Sequence, residues 1–352
     1  MNTERLDFLR EMINTPSPSG YEERIQTVFH KRVETSVNRF FKDVHGNACG
    51  ILNPESAFRV MLAGHCDEIG LMVNYITEQG FIHFRSIGGI DAQLTPGQRV
   101  IIHAARGPVL GVIGKRPIHL IEEKERLKVV KIEEQWIDIG GCDRQEVMRL
   151  VSVGDPITFA AGFEPLNGTR VVGRGFDDRA GTFVVAEALL SINRAALRCA
   201  VYGVSTVQEE IGLRGAKTSA FAIDPHLGIA IDVTFASDCP DVDKRKVGEI
   251  ALGKGPVLGR GPNINRRLFE RMIQVAEKHG IPYQVQAEPR ATGTDANAIQ
   301  VNKGGVVTAL VGIPNRYMHT PSEVVDLEDL DNTINLLARI LESIDGQEDW
   351  TP

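Results

Sequence analysis

The residues best suited to chemistry in this sequence are histidines and carboxylates that follow predicted strands or begin predicted helices. They are His65, Asp67, Asp177, Asp178, Glu209, Glu210, Asp232 and His319. In an open α/β sheet, side chains beyond the carboxyl ends of the strands gather at one edge, where ligands bind. Carboxylates buried at such an edge are costly unless they are paired or bind a metal. The pattern therefore predicts a metal site.

The residue types also indicate which metal chemistry to expect. Zinc and related ions take imidazole nitrogen and carboxylate oxygen, and their catalytic sites keep a position open for water. Two ions about 3.5–4 Å apart can share a bridging carboxylate and a bridging hydroxide, which is a nucleophile at neutral pH. Glu209 and Glu210 are adjacent, so one can bind metal while the other acts as general base and then acid. Together these residues favour metal-assisted hydrolysis.

Taken alone, most of these signals have ordinary structural explanations. Asp177-Asp178-Arg179 is also typical of a helix cap with a neutralising arginine, and Glu209-Glu210 of a solvated turn. His319, which precedes Thr-Pro, is equally typical of a loop. Asp232 is the strongest single signal, because it lies inside an apolar run where an unpaired carboxylate is expensive.

The elements that must position these residues alternate between strand and helix patterns. Strand candidates cover 58–63, 199–207, 227–233 and 305–313, and helix candidates cover 182–192, 266–278 and 327–344. Such alternation predicts an α/β fold around a mostly parallel sheet flanked by helices. Between about 70 and 162 the pattern changes to short β-like runs punctuated by Gly and Pro, which predicts a small sheet or barrel. These runs are 71–76, 81–86, 100–104, 109–113, 127–132 and 156–160.

Composition excludes several other classes of protein. A net charge of −7 without a block of basic residues argues against nucleic-acid binding. The five cysteines are odd in number and widely spaced, so a disulfide framework or zinc ribbon is not expected. The first ten residues are polar and charged and no 18-residue apolar run occurs, so we expect a cytoplasmic protein without membrane contact. Gly253-Lys254-Gly255-Pro256 does not match a P-loop, so we expect no nucleotide.

In their order along the chain, the motifs resemble the M42 aminopeptidases, which include glutamyl and tetrahedral aminopeptidases. The resemblance extends from Pro18-Ser19-Gly20-Tyr21-Glu22 to Val324-Val325-Asp326-Leu327, which is nearly the whole chain. It implies a zinc-exopeptidase-like catalytic domain formed by 1–69 and 166–352. It also implies a β-rich, barrel-like insert at 70–165 that serves in dimerisation and assembly. The motifs are His65-Cys66-Asp67-Glu68-Ile69-Gly70, Asp177-Asp178-Arg179, Gln208-Glu209-Glu210-Ile211-Gly212-Leu213-Arg214-Gly215-Ala216, Ile231-Asp232-Val233 and Arg316-Tyr317-Met318-His319-Thr320-Pro321-Ser322-Glu323.

The resemblance further implies a role for each site residue. Asp177, rather than Asp178, would be the bridging carboxylate between two divalent ions, zinc or cobalt first and manganese as a further possibility. Glu209 would be the general base, and Asp67 would orient His65. Cys66 departs from the expected small or apolar residue, and we expect it to point into the core. The metal ligands would be His65, Asp177, Glu210, Asp232 and His319.

The implied function is a dinuclear-metal aminopeptidase that removes N-terminal residues from short peptides. Similar proteins form dodecameric shells built from dimers, so we expect a homo-oligomer, either a dodecamer or a dimer. Gly293-Thr294-Asp295 either lines the substrate pocket, as similar turns do in the family, or is a plain turn. The alternatives are a related metal-dependent deacylase or carboxypeptidase, and a non-catalytic metal-stabilised assembly protein. A complete ligand set together with Glu209 argues against the last.

Overall fold

The strands form three units, which are an open sheet, a closed barrel and a small three-stranded sheet. The computed structural model describes residues 1–352, apart from the side chain of Glu125. The strands are β1 (Arg39–Lys42), β2 (Ala48–Leu52), β3 (Arg59–His65), β4 (Gly70–Ile76), β5 (Ile82–Ile87), β6 (Arg99–Ala104), β7 (Gly107–Gly114), β8 (Trp136–Asp138), β9 (Pro156–Phe159), β10 (Glu164–Pro165), β11 (Arg170–Gly173), β12 (Ala200–Thr206), β13 (Leu227–Phe235), β14 (Val257–Arg260), β15 (Gln284–Ala287), β16 (Val307–Asn315) and β17 (Glu323–Asp326).

Helices pack on both the barrel and the open sheet. They are α1 (Thr3–Asn14), α2 (Glu23–Val33), α3 (Arg144–Leu150), α4 (Phe176–Ser191), α5 (Arg214–Ile223), α6 (Lys244–Val247), α7 (Arg266–His279), α8 (Asp295–Gln300) and α9 (Leu327–Ser343). The helix α3 packs on the barrel, whereas α4, α5, α7, α8 and α9 pack on strands of the open sheet. Among the helices described, none is both long and apolar enough to cross a membrane.

The open sheet has eight strands in the order β1-β2-β12-β3-β13-β16-β14-β15. Its central strands β12, β3, β13 and β16 are parallel, and they read as apolar runs because both of their faces are buried. Thr206 pairs with His65 and Asp232 with Gly312, so the carboxyl ends of these strands lie at one edge. The predicted mostly parallel sheet flanked by helices is confirmed.

Helix packing explains how that edge is held. The helix α4 is buried along nearly its whole length, as expected of a helix that is apolar on all sides, and it packs against β3, β12, β13 and α9. Gly64 of β3 and Gly181 of α4 allow the closest approach, because a Cβ added to Gly64 would lie 2.6 Å from the Gly181 carbonyl carbon. The start of α4 is thereby held against the end of β3.

The insert is a closed barrel with the strand order β4-β5-β8-β7-β6-β9. Apolar side chains of alternating residues fill it, among them Leu71, Val73, Ile82 and Phe84. The predicted barrel-like insert is therefore confirmed as an architecture. Its boundaries at 70 and 165 and its role in assembly stay predictions.

One predicted strand of the insert, 127–132, is wrong. The structure has short 3₁₀ turns at Glu123–Glu125 and Ile132–Glu134 instead, and the barrel strand β8 follows them. Leu127 is 93% exposed and Val129 is also exposed, so neither side chain packs inside the barrel. An apolar run predicts a strand only where a core is available to bury it.

Candidate metal centre

The predicted site residues converge at the carboxyl edge of the parallel strands. His65 ends β3, and Asp232 lies near the end of β13. Asp177 opens α4, and its two carboxylate oxygens face two different histidines. The Oδ1 atom lies 3.2 Å from Nε2 of His65, and Oδ2 lies 3.0 Å from Nε2 of His319. Asp177 therefore stands between the two imidazole rings.

The remaining predicted ligands surround this pair. Oε1 of Glu210 lies 3.4 Å from Nε2 of His319, and Oδ1 of Asp232 lies 4.0 Å from Nε2 of His65. Oε1 of Glu210 is buried and accepts no hydrogen bond from any described residue. The geometry forms two donor sets, each with its ligand atoms within 4.8 Å of one another. These sets are His65, Asp177 and Glu210, and His65, Asp178 and Asp232.

Asp178 occurs in the second set, yet its oxygens already accept backbone hydrogen bonds. Oδ2 accepts one from the N–H of His65 at 3.2 Å, and Oδ1 accepts one from the N–H of Gly181 at 2.8 Å. Asp177 has both oxygens directed at ring nitrogens instead. The contacts of Asp178 are those of a residue that joins the start of α4 to the end of β3.

Electrostatics distinguish Asp177 from the other acids of the cluster. Burial and the charges of neighbouring carboxylates raise the pKa of Glu209 and of Asp232 above their ordinary values. Burial would raise the pKa of Asp177 too, but hydrogen bonds from the His319 and His65 rings hold it below its usual range. The Asp177 and Glu210 carboxylates beside its ring raise the pKa of His319 to about 11. The cluster thus concentrates more buried negative charge than two imidazoles neutralise, and a divalent cation would relieve that excess.

His65 is oriented for ligation. Its Nδ1 lies 3.1 Å from the carbonyl oxygen of Asp67 and 3.4 Å from the carboxylate of the same residue. An Nδ1–H donated to that carbonyl directs Nε2 at Asp177. In the metal-free protein a proton lies between Nε2 and the carboxylate, and a divalent cation would replace that proton. The donor set therefore fits a metal.

Asp67 does more than face His65. Its fully buried carboxylate accepts hydrogen bonds from the backbone N–H groups of Glu209 at 2.9 Å and Glu210 at 3.2 Å. Its Oδ2 also accepts a hydrogen bond from the hydroxyl of Ser19 at 2.6 Å. Asp67 therefore joins the end of β3 to the glutamate pair that follows β12.

Glu323 is a functional residue that sequence reasoning did not single out. It is 1% exposed, and it accepts hydrogen bonds from the N–H of Asp177 at 2.9 Å and of His319 at 3.0 Å. Burial and the charge of Asp177 raise its pKa to about 8. One carboxylate thus holds the backbone of two of the predicted ligands. Its position four residues after His319, within the same motif, was the available signal.

Asp295 belongs to the same buried cluster. It is 2% exposed, and its Oδ2 accepts a hydrogen bond from the hydroxyl of Thr206 at 2.6 Å. Its Oδ1 is without a hydrogen-bond partner among the described residues. Burial raises the pKa of Asp295 to about 6. The turn that the sequence left undecided therefore adds a carboxylate beside the cluster.

A buried ion-pair network lies behind the site. Arg179 is fully buried, and its guanidinium donates to both oxygens of Glu68 at 3.1 Å. Arg174 adds a second cation to the same carboxylate, also at 3.1 Å. Because Glu68 follows Asp67 and Arg179 follows Asp178, the network ties together the two segments that carry ligands. Cys66, as expected, is fully buried in the main core.

The barrel reaches the site through the turn after β5. A Cβ added to Gly88 would lie 3.4 Å from Oε2 of Glu210, and one added to Gly89 would lie 3.3 Å from Nδ1 of His319. Gly88 also has a φ of 74°, which favours glycine. The turn can lie this close to the predicted ligands because it carries no side chains.

Comparison with known proteins agrees with this geometry. The sequence matches the M42 glutamyl aminopeptidase family over residues 46–336. It is 38% identical to lysyl aminopeptidase of Pyrococcus furiosus, over 98% of this chain and 99% of that protein.

Among solved structures, the chain resembles the TET aminopeptidase of a marine-sediment Thaumarchaeota archaeon. The identity is 32%, 98% of each chain is covered, and the TM-score is 0.93. The TET1 peptidase of Pyrococcus horikoshii, which can assemble into a tetrahedron or a large octahedral shell, is 33% identical. That match covers 97% of this chain and 100% of the other with a TM-score of 0.86. The chain therefore belongs to the M42 family of metallo-aminopeptidases and is a hydrolase of peptide bonds.

Proposed function

We propose that this enzyme is a dinuclear-metal aminopeptidase in which Glu209 is the general base. The observation that carries the proposal is the position of Asp177, with one carboxylate oxygen facing His65 and the other facing His319. A carboxylate shared in this way is what two adjacent divalent ions require. Zinc or cobalt suits the donors best, and manganese is a further possibility.

The distances support one division of the ligands between the two ions. His65 and Asp232 would hold one ion, and Glu210 and His319 the other, with Asp177 common to both. The nearest contacts within each pair, 4.0 Å and 3.4 Å, join His65 to Asp232 and His319 to Glu210. Asp178 would act on these ligands through the backbone of His65, because its oxygens accept backbone hydrogen bonds.

The position of Glu209 supports its proposed role in moving the proton. When bound, the two cations would polarise the scissile carbonyl and lower the pKa of the attacking water. Glu209 is 8% exposed, and its Oε2 lies 3.8 Å from Nε2 of His65, so its carboxylate faces the ligand cluster. Burial raises the pKa of Glu209, and cations beside it would lower that pKa again. Glu209 then accepts a proton from water and donates it to the leaving amine of the peptide.

The relatives support a proposal for the substrate and for the assembly state. We infer that short peptides with a free α-amine are the substrates, and that N-terminal lysine deserves testing first because a relative is a lysyl aminopeptidase. We also infer a homo-oligomer, since a similar peptidase assembles into closed shells. Light scattering after size-exclusion chromatography tests the homo-oligomer, and a monomer at micromolar protein concentration would contradict this inference.

Amino-acid release from paired peptides tests the activity. The panel has free or acetylated N-termini and varies the first residue, and each peptide is incubated with metal-free enzyme and with enzyme loaded with zinc, cobalt or manganese. We expect metal-dependent cleavage of the free peptides alone. Cleavage of the acetylated set would indicate a deacylase or endopeptidase, and release from the carboxyl end a carboxypeptidase. Bound metal without turnover of any peptide would favour an assembly protein.

Isosteric substitutions of the adjacent residues Glu209 and Glu210 distinguish the general base from the metal ligand. Glu209→Gln should lower kcat about 10²- to 10⁴-fold, the usual contribution of a general base, while metal content stays unchanged. Glu210→Gln should reduce metal content, because it removes a charged ligand. Metal content is measured by atomic emission and kcat on the best peptide of the panel. Wild-type turnover in Glu209→Gln would show that Glu209 is not the base.

A further inference from the structure

The segment that carries the two glutamates has its backbone fixed from both sides. The carbonyl oxygens of Val207, Gln208 and Glu209 accept hydrogen bonds from backbone N–H groups at 212–215, where α5 begins. On the other side, four consecutive N–H groups donate to side-chain oxygens of only three residues. These bonds are Val207 N to Asn47 Oδ1 at 3.1 Å, Gln208 N to Glu22 Oε1 at 3.2 Å, Glu209 N to Asp67 Oδ1 at 2.9 Å and Glu210 N to Asp67 Oδ2 at 3.2 Å.

Glu22 acts at the least favourable point of this segment. Gln208 has a φ of 55°, in the left-handed region that residues with a side chain rarely adopt. At this residue the chain turns out of β12 and directs the next two side chains to the metal cluster. A conformation of this kind persists only where the surroundings hold it. The hydrogen bond to Glu22 is the side-chain contact that holds the N–H of Gln208.

Glu22 is itself rigidly placed. It is 6% exposed and precedes α2, and the same Oε1 accepts a hydrogen bond from the N–H of Gly20 at 2.7 Å. Three residues before Glu22, in the same loop, Ser19 donates its hydroxyl to Asp67 at 2.6 Å. The Pro-rich turn between α1 and α2 therefore supports the glutamate segment at two points.

We propose that Glu22 is a positioning residue, which sets the backbone at Gln208 so that Glu209 and Glu210 reach their working positions. This inference rests on the proposed function of the two glutamates. The role uses an oxygen acceptor at Oε1, and a glutamine amide supplies the same acceptor. Glu22→Gln is therefore the conservative variant, and Glu22→Ala is the disruptive one.

We expect Glu22→Ala to lower kcat about 10- to 100-fold, the usual effect of losing a group that orients metal ligands. KM should change less, because Glu22 reaches the site only through the backbone of Gln208. The affinity for Co²⁺, titrated into the metal-free full-length chain and followed by its visible absorption, should fall by a similar factor because Glu210 is displaced. Glu22→Gln should restore both quantities to within about threefold of wild type, because it retains the oriented acceptor.

Glu187→Ala is the matched control. Glu187 is 1% exposed and pairs with Arg5 and Arg32, so its loss also removes a buried carboxylate next to the N-terminal helices. It should lower the thermal midpoint while kcat and the Co²⁺ affinity stay at wild-type values.

Three outcomes would overturn the role of Glu22. They are wild-type kcat and Co²⁺ affinity in Glu22→Ala, failure of Glu22→Gln to restore them, and an equal loss in Glu187→Ala. If the wild-type enzyme cleaves no peptide, the proposed function fails, whereas the Co²⁺ titration still tests the position of Glu210.

Discussion

The catalytic domain and the barrel bury opposite kinds of side chain. The barrel core is apolar, and its buried polar groups among the described side chains, Thr95, Gln135 and Thr158, are uncharged. The catalytic domain buries acids, histidine and arginine at one edge of its sheet. They include Glu22, His65, Asp67, Glu68, Arg174, Asp177, Asp178, Arg179, Glu209, Asp232, Asp295 and Glu323.

The contrast shows which part of the molecule is less stable because it buries charged groups for chemistry. Each buried charge costs stability unless it is paired or hydrogen-bonded. The barrel avoids that cost and needs only good packing. The catalytic edge of the open sheet carries this cost in stability. Backbone N–H donors to Asp67 and Glu323, and the arginines around Glu68, offset part of it. Substitutions in the two regions should therefore separate activity from stability.

The largest expected effect comes from the shared carboxylate. Asp177→Asn should lower activity about 10³-fold or more, since metal catalysis contributes several kcal/mol and each 1.36 kcal/mol is tenfold in rate. The metal-free protein should also unfold at a lower temperature than wild type, because the substitution removes the carboxylate that pairs with both His65 and His319. Activity and calorimetry of the metal-free form test both parts.

A carboxylate of the barrel serves as the control for Asp177. Asp143 caps α3 by accepting a hydrogen bond from the N–H of Glu146 at 2.8 Å. Asp143→Ala should cost about 1 kcal/mol of stability and leave activity unchanged. Wild-type activity in Asp177→Asn, or a large loss of activity in Asp143→Ala, would break the contrast between the two regions.

A substitution in the barrel core should lower stability and leave activity unchanged. Ile82 is fully buried against the other strands, and Ile82→Ala should lower the free energy of unfolding by about 3 kcal/mol. The kcat of the folded fraction should stay at the wild-type value. Denaturant titration and initial rates below the transition measure the two quantities. A fall in kcat of tenfold or more without denaturant would show that barrel packing is coupled to the site.

A change of pH is expected to have a smaller effect on the stability of the metal-free protein. Glu22, with its pKa raised to about 7, and Glu323, raised to about 8, favour the protonated form in the folded, metal-free protein. Their stabilising contribution is complete below about pH 4.5 and is lost as the pH rises through the folded values. Metal-free protein should thus be less stable at pH 8.5 than at pH 5.5.

Metal should oppose this trend, because cations favour ionised ligands. The difference in thermal midpoint between metal-loaded and metal-free protein should widen by several degrees between pH 5.5 and pH 8.5. Scans with and without chelator measure it. A constant difference across this range would contradict the assignment of the buried acids to a metal site.

Much of the site was predictable because its residues lie in short motifs at strand ends. The alternation of patterns predicted the parallel sheet, and Asp232 in an apolar run indicated a buried charge. The supporting residues were not predictable in the same way. Glu22 acts on a residue 186 positions away, and Glu323 on one 146 positions away. Such partners become visible only when the fold brings their backbone donors together.

The misassigned strand has a different cause. Leu127 and Val129 are apolar but exposed, so the apolar run that contains them does not mark a strand of the barrel. A periodicity argument assumes that every apolar run finds a core in its own chain. Where part of the surface is itself apolar, that assumption fails.

The barrel begins at Gly70, five residues after His65, and its Gly88–Gly89 turn lies against Glu210 and His319. One predicted metal ligand is therefore joined to the insert through the chain, and two more lie beside its turn. A rigid-body tilt of the barrel relative to the sheet would displace the surroundings of all three, even if the packing inside the barrel stayed unchanged.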